Sequence, residues 1–163
     1  MTKIKNGDIF NLNNHRVMCG DCNDENIGSD VEVLVQAEKV KLVVADTSSN
    51  KMKWWDLIQP HLTKDYNCYL WNKLCKDDLL PVKSICRIID ITCSKNDIIY
   101  DPHLNTGNVL IASESSECRC FAIEQSPDHI EASINRYIEH CSKNNKPVVL
   151  NHLNGDLTLN DFE

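Results

Sequence analysis

The sequence predicts an α/β fold: an open, mostly parallel sheet with helices on both faces, in a single domain spanning residues 1–163. Two observations carry this expectation. Five short apolar strands alternate with segments of helical periodicity, the pattern of a parallel sheet built from crossover units. In addition, 97–124 runs from an apolar strand (Ile98, Ile99, Tyr100) through a polar turn holding Gly107 into a helix from about Val109, then a second strand, Cys120 to Ile123, that stops on Glu124. Strand, glycine-containing turn, helix, strand and terminal acid is the layout of a nucleotide-binding βαβ unit. The turn lets a ligand approach the backbone and the acid receives ribose hydroxyls. Glu124 follows Asp101 by 23 positions, close to the spacing of about 20 that such units show.

Taken in order, Asp8-Ile-Phe-Asn-Leu and His15-Arg-Val-Met-Cys flank Asn13-Asn14. Asparagine tolerates positive φ, so this reads as a hairpin with a tight turn, closed by Gly20-Asp21. Residues 23–40 read as a polar loop followed by a helix or a loosely ordered segment. Lys41-Leu-Val-Val-Ala is a β-branched strand ending on Asp46-Thr-Ser-Ser. A helix from about Lys53 carries Trp54, Leu57, Ile58 and Leu62 at helical spacing, with Pro60 near its end. That spacing assigns Trp54 or Trp55 to the core. Tyr66 to Trp71 is the next strand, and Asn72 to Asp78 a polar link. A second amphipathic helix follows, with Val82, Ile85, Cys86, Ile89 and Cys93 on one face, broken by Lys95-Asn-Asp. Beyond Glu124, Ser126-Pro127 is a cap-plus-first-turn signal, and Ile130, Ile134, Tyr137, Ile138 and Cys141 form the buried stripe. A short strand, Val148 to Leu150, lies in the tail. In such sheets ligands bind at the carboxyl ends of strands, and Asp21, Asp46, Asp101 and Glu124 each terminate a predicted strand.

Composition narrows the function. Apolar residues make up 42% and charged residues 25%, as in an ordinary globular domain. No apolar run approaches a membrane span and no signal-peptide core opens the chain, so the expectation is a cytoplasmic protein. A formal charge of −7 argues against nucleic-acid binding through a general basic surface. The nine cysteines read as reduced thiols acting as small apolar side chains. Cys19-Gly-Asp-Cys22 has zinc-knuckle spacing, but a closed site needs four converging ligands and Cys19 reads as a strand residue, so no metal is expected.

Gly7-Asp-Ile-Phe-Asn-Leu-Asn-Asn-His-Arg-Val-Met-Cys-Gly-Asp21 resembles the opening of the DNA adenine/cytosine amino-methyltransferases found fused to ParB-like domains. Asp97 to Glu124 resembles their cofactor motif, usually Asp-Pro-Phe-x-Gly-x-Gly with an acidic strand end. Leu80-Pro81-Val82 resembles the Lys-Pro-Val before it, and Leu42 to Ser49 sits where that family has its catalytic Asp-Pro-Pro-Tyr. The order, catalytic motif first, is that of the permuted class. The resemblance implies a Rossmann-like methyltransferase fold using S-adenosylmethionine. Asp21 and Cys22 would face the cofactor's adenine and Glu124 would hold its ribose. Asp101, Thr106, Gly107 and Asn108 would line its methionine end, and Asp46 would hold the target amine.

The departures from this pattern set the functional expectation. An aromatic amine is a poor nucleophile because its lone pair is delocalised into the ring. The family localises that pair with an Asp and a carbonyl, and stacks an aromatic ring on the flipped-out base. Here Asp46 is followed by Thr47-Ser48-Ser49, so both prolines and the ring are gone; stacking alone is worth about 1–3 kcal/mol per base. In the cofactor turn, the phenylalanine is His103 and the first glycine is Asn105, a residue at ease with positive φ. Between Asp46 and Asp101, where the family carries further strands and its target-recognition region, the positions differ by only 55. Taken together, these departures predict a catalytically degenerate protein with weak or lost S-adenosylmethionine binding and a vestigial Asp46. It would act as an interaction module, as a homodimer or with a partner methyltransferase or other protein, without sequence-specific DNA binding of its own. The alternative is an active DNA methyltransferase that takes target recognition from a partner subunit.

Overall fold

A computed structural model describes residues 2–24, 28–47, 52–71 and 80–162. Within them the sheet has seven strands in the order β4-β3-β5-β6-β2-β1-β7. The hairpin forms where Asn13-Asn14 predicts it, joining β1 (Ile9–Leu12) to β2 (His15–Cys19), with Asn13 at φ 52. After α1 (Gly28–Val35), β3 (Val40–Asp46) pairs in parallel with both β4 (Leu62–Trp71) and β5 (Ile98–Asp101). β6 (Arg119–Glu124) lies parallel between β5 and β2. β1 and then β7 (Leu150–His152) complete the opposite edge with antiparallel pairings.

Helices cover both faces. α1 and α2 (Lys53–Ile58) pack on one side, against Val43, Ala45, Tyr100, Phe121 and Ile123. On the other side α3 (Val82–Thr92), α4 (Asn108–Ser115) and α5 (Pro127–Lys143) cover Leu42, Val44, Ile99, Cys120 and Ala122. Strict alternation along β3 would send Val40 and Leu42 to the same face. A register shift between them lets Val40 join the α1/α2 core and Leu42 the other, as a bulge does.

Several element boundaries differ from the sequence expectation. The helix begun at Lys53 ends at Ile58, and a 3₁₀ turn, Gln59–His61, takes over around Pro60, whose ring cannot continue an α-helix. Leu62 therefore belongs to β4, which starts four residues before Tyr66. Cys93 caps α3 from outside in extended conformation. The tail strand is displaced toward the C-terminus because Val149 is engaged by the hairpin turn. Asn13 N–H donates to Val149 O at 2.9 Å, and Val149 N–H to Asn13 Oδ1 at 2.8 Å. The link expected at 72–78 lies outside the described residues. Ser126 caps α5 as its sequence predicts, accepting from His129 N–H, with Pro127 opening the helix. Trp54 is fully buried, while Trp55 is half-buried against Tyr66.

At the amino ends of the strands a polar clamp ties the hairpin to the helices. His15, 2% exposed, accepts the Cys120 N–H on Nδ1 at 3.0 Å, which leaves its proton on Nε2 to donate to Glu114 Oε2 at 2.9 Å. The Tyr137 hydroxyl donates to the same oxygen at 2.9 Å, and Lys146 Nζ to Oε1 at 2.6 Å. Asn13 Nδ2 in turn donates to the Tyr137 hydroxyl at 2.9 Å. Burial would raise the Glu114 carboxyl, but the hydrogen bonds from His15, Lys146 and Tyr137 outweigh it and hold the group down at about 2.

Removing the Glu114 carboxylate leaves buried His15 and Tyr137 without their acceptor, while Lys146 keeps Glu114 O at 3.3 Å, so Glu114→Ala is expected to cost about 3 kcal/mol, measurable by urea unfolding. The folded carboxyl titrates at about 2 and the free one at 4.5. The stability it contributes is therefore fully present above pH 4.5 and is lost as pH falls toward 2. Glu114→Gln should abolish that acid limb of the stability profile.

Candidate functional site

Parallel strands place their carboxyl ends on one edge of the sheet, and the chain uses that edge for its acids. Asp21 follows β2, Asp46 ends β3, Asp101 ends β5 and Glu124 ends β6. β3 leads outward to β4 while β5 leads the other way to β6, so the edge holds the topological switch point, where a crevice opens. A cleft of 240 Å³ lies there, and Asp21, Cys22, Asp46 and Glu124 all line it. Among the described residues no lysine or arginine does.

Asp21, Asp101 and Glu124 use the same local device. Asp21 Oδ1 accepts the N–H of Asn23 at 2.9 Å, Asp101 Oδ1 that of His103 at 2.9 Å, and Glu124 Oε1 that of Ser126 at 2.9 Å. Each carboxylate thus folds back on the amide two residues ahead and shapes the turn leaving its strand. Glu124 does more. Its Oε2 accepts the Asn105 N–H at 2.8 Å, and its carbonyl accepts the Gly20 N–H at 2.9 Å, tying three loops together. His129 Nδ1, from the first turn of α5, stands 3.4 Å from Glu124 Oε1. Asp101 is buried, and burial pushes its carboxyl up to about 8; the His103 N–H works against this, while Glu124 and Asp46 add to it. It is neutral at pH 7.

The cofactor turn folds with Asn105 at φ 51 and Gly107 at φ 84. Its predicted residues do not all face the cleft. A Cβ on Gly107 would meet the Ser133 side chain at 3.1 Å, so this glycine serves the contact with α5. Ser133 Oγ also donates to Asn105 O at 2.9 Å. The Asn108 amide is held from both sides, donating to Leu80 O at 3.0 Å and accepting from Arg136 at 3.0 Å. Arg136 also donates to Thr106 O. Asp101, Thr106 and Asn108 instead border a second, much smaller cavity of 20 Å³, shared with Val44, Trp71 and Leu80.

His103 occupies the middle of the site. Its Nε2 lies 3.3 Å from Cys22 Sγ, joining the loop after β5 to the loop after β2, and its ring meets the Trp54 ring edge-on at 6.3 Å. Burial lowers the imidazole's pKa despite Asp46, Glu124 and Asp21 nearby. The Cys22 thiol is pushed up to about 12 by burial and then by Asp21, Asp101 and Glu124. Both groups are therefore neutral near pH 7, and this is not an activated nucleophile. Whichever nitrogen carries the ring proton, Nδ1 is buried without a hydrogen-bond partner among the described residues. His129 and Gln125, which also line the cleft, escaped the sequence reading. Their only signal was position, directly after the acid that ends β6.

An open, mostly parallel sheet with helices on both faces and a crevice above its carboxyl edge is, in this strand arrangement, the fold of the S-adenosylmethionine-dependent methyltransferases. Solved structures similar to this chain include DNA methyltransferases. M1.HpyAVI superposes with a TM-score of 0.62 at 13% identity, covering 74% of this chain and 97% of that one. Its SAM complex gives 0.60 with the same identity and coverage. TTHA0409 from Thermus thermophilus, described as a DNA modification methylase, gives 0.56 at 13% identity, covering 77% of this chain and 95% of that one. No protein-family model and no curated protein sequence matches the chain. At this identity the likeness establishes the fold.

The Asp101 carboxyl holds its proton to about pH 8 in the folded chain and to 3.8 when free. Folded stability should therefore fall as pH rises from about 4 to about 8, by about 1 kcal/mol per unit, and then level off. Asp101→Asn keeps the oxygen that accepts from His103 and removes the titration. Chemical denaturation across this range should show the variant gaining on the wild type up to pH 8 and no further.

Proposed function

We propose that this chain is a catalytically degenerate protein of the methyltransferase fold, with weak or lost S-adenosylmethionine binding and a role in protein interaction. Its main support is the backbone after Asp46. Thr47 donates both its N–H, at 2.8 Å, and its hydroxyl, at 3.0 Å, to Trp71 O. The residue that would begin a rigid substrate-gripping turn is instead spent on prolonging the β3–β4 ladder, which a proline has no N–H to do. Asp46 lines the cleft without the φ-locked residues that would hold a planar amine against it.

The residues present fit the nucleoside half of S-adenosylmethionine. Glu124 has both oxygens oriented by backbone N–H groups and retains lone pairs for ribose hydroxyls; Asp21 and Cys22 would face adenine across the 240 Å³ cleft. The methionine half fits poorly. The cavity bordered by Asp101, Thr106 and Asn108 measures 20 Å³, room for about one water. The Asn108 amide is already engaged, and His103 bridges to Cys22. The cofactor's contribution when bound is an electrophilic methyl group, and the site described offers no arrangement that would present it to an amine.

The shared lining of Asp46, Asp21 and Glu124 favours one other reading, an active DNA methyltransferase completed by a partner subunit. Two measurements separate the two. Titration calorimetry with S-adenosylmethionine should give a dissociation constant weaker than about 0.1 mM, with any residual heat removed by Glu124→Ala. Incubation with labelled cofactor and DNA should leave the DNA unlabelled. Methyl transfer that disappears in Asp46→Ala would overturn the degenerate reading and establish the other.

A further inference from the structure

β4 is unlike the other parallel strands. Parallel sheets are normally covered on both faces, and the adjacent β3 is buried along most of its length. β4 is exposed from Lys64 through Leu70, on both faces, with Tyr66 at 41%, Tyr69 at 38% and Leu70 at 47%. Among the described residues its hydrogen-bonded neighbour is β3, which leaves its other side as the sheet's edge.

The usual protections of an edge are missing from its second half. Edge strands are normally short, or carry charge, proline or a bulge. Lys64 and Asp65 supply charge at the start, where the β3–β4 register also shifts between the Leu62 and Asn67 pairings, but Tyr66-Asn-Cys-Tyr-Leu-Trp71 has no charge, proline or glycine, the composition of a segment that recruits another strand. The Thr47 N–H bond to Trp71 O also fixes the phase of the backbone. A strand residue turns its N–H and C=O to the same side, and successive residues alternate. Trp71, Tyr69 and Asn67 thus bond toward β3, while Leu70, Cys68 and Tyr66 turn their amides to the open side.

We propose that this edge is a homodimer interface, in which β4 pairs antiparallel with β4 of a second copy about a two-fold axis at Cys68. The choice of a second copy follows from self-complementarity. An axis at Cys68 pairs the uncharged outward residues with one another, Cys68 facing the partner's Cys68 and Tyr66 facing the partner's Leu70. That register sets an aromatic against an aliphatic side chain on the face where Trp55 already touches Tyr66, a favourable cross-strand pair. It also leaves Lys64 and Asp65 beyond the central pairs, whereas an axis at Tyr66 would bring Lys64 opposite the partner's Cys68. This specifies the interaction role proposed above, yet stands apart from cofactor binding, since oligomeric state and calorimetry are read separately.

Sedimentation velocity of the full chain under reducing conditions, from about 5 to about 300 μM, should show a monomer–dimer equilibrium of the weak class. A short bismaleimide should trap the dimer, and Cys68→Ser should lose the trapped species. Cys68→Pro removes an outward N–H and leaves the β3 ladder intact; Leu70→Lys places a charge against the partner's Tyr66. Both are expected to sediment as monomers with an unchanged far-ultraviolet circular dichroism spectrum, and if the proline variant fails to fold, Leu70→Lys decides alone. A wild type that remains monomeric throughout overturns the proposal. So does a dimer indifferent to Leu70→Lys, or a crosslink indifferent to Cys68→Ser.

Discussion

Crowding of carboxyl groups at one edge of the sheet is the constraint under which the site is built. Parallel pairing sends β2, β3, β5 and β6 to the same edge, and each delivers an acid there. Without cationic side chains among the described lining residues, the chain meets the repulsion with backbone amides and with a proton. Asp21, Asp101 and Glu124 each draw in the N–H two residues ahead, so the loops are shaped by the charges they must accommodate. Asp101, the most enclosed of the four strand-end acids, keeps its proton instead. The same dense negative potential surrounds His103, yet burial prevails and the ring stays neutral, because desolvating an imidazolium costs more than the neighbouring carboxylates return.

The opposite end of the sheet solves the same problem in the reverse sense. Glu114 is also withdrawn from water, but His15, Tyr137 and Lys146 converge on it and hold it ionised. Two carboxyl groups in one chain are thereby driven apart: three converging donors bring Glu114 down to about 2, and burial takes Asp101 up to about 8. The amino-end clamp fastens the hairpin, α4 and α5 to one another. α5 then carries Ser133 and Arg136 to the back of the 105–108 turn. The acid-rich edge is therefore braced from a region whose own electrostatics are satisfied.

What the sequence disclosed followed from local patterns. Alternating apolar runs located β3, β5 and β6, Asn13-Asn14 located the hairpin turn, and Ser126-Pro127 located the start of α5. Acids at strand ends were visible for the same reason, since strand termini are marked in the chain itself. What stayed hidden depends on partners distant in sequence. Nothing near His103 announces that its ring reaches Cys22, and the withdrawal of the Asn108 amide from the site requires Leu80 and Arg136 together. The early start of β4 depends on Pro60 ending a helix whose apolar spacing runs on to Leu62. The tail strand's position depends on the Asn13 side chain capturing Val149.

One hydrogen bond joins the end of β3 beside the cleft to the exposed edge. When Thr47 donates to Trp71 O, β3 and β4 stay paired to the last residue of β4, at the point where a proline after Asp46 would have released them. The bond extends the stretch in which β4 runs in unbroken register with β3, from Asn67 to Trp71. It also sets which amides of β4 face outward. Thr47 thus acts in two directions: its N–H and hydroxyl are both taken up by β4 at the end of β3, and that engagement fixes the phase in which the β4 amides alternate. The end of β3 beside the cleft and the open side of β4 are set by the same backbone geometry.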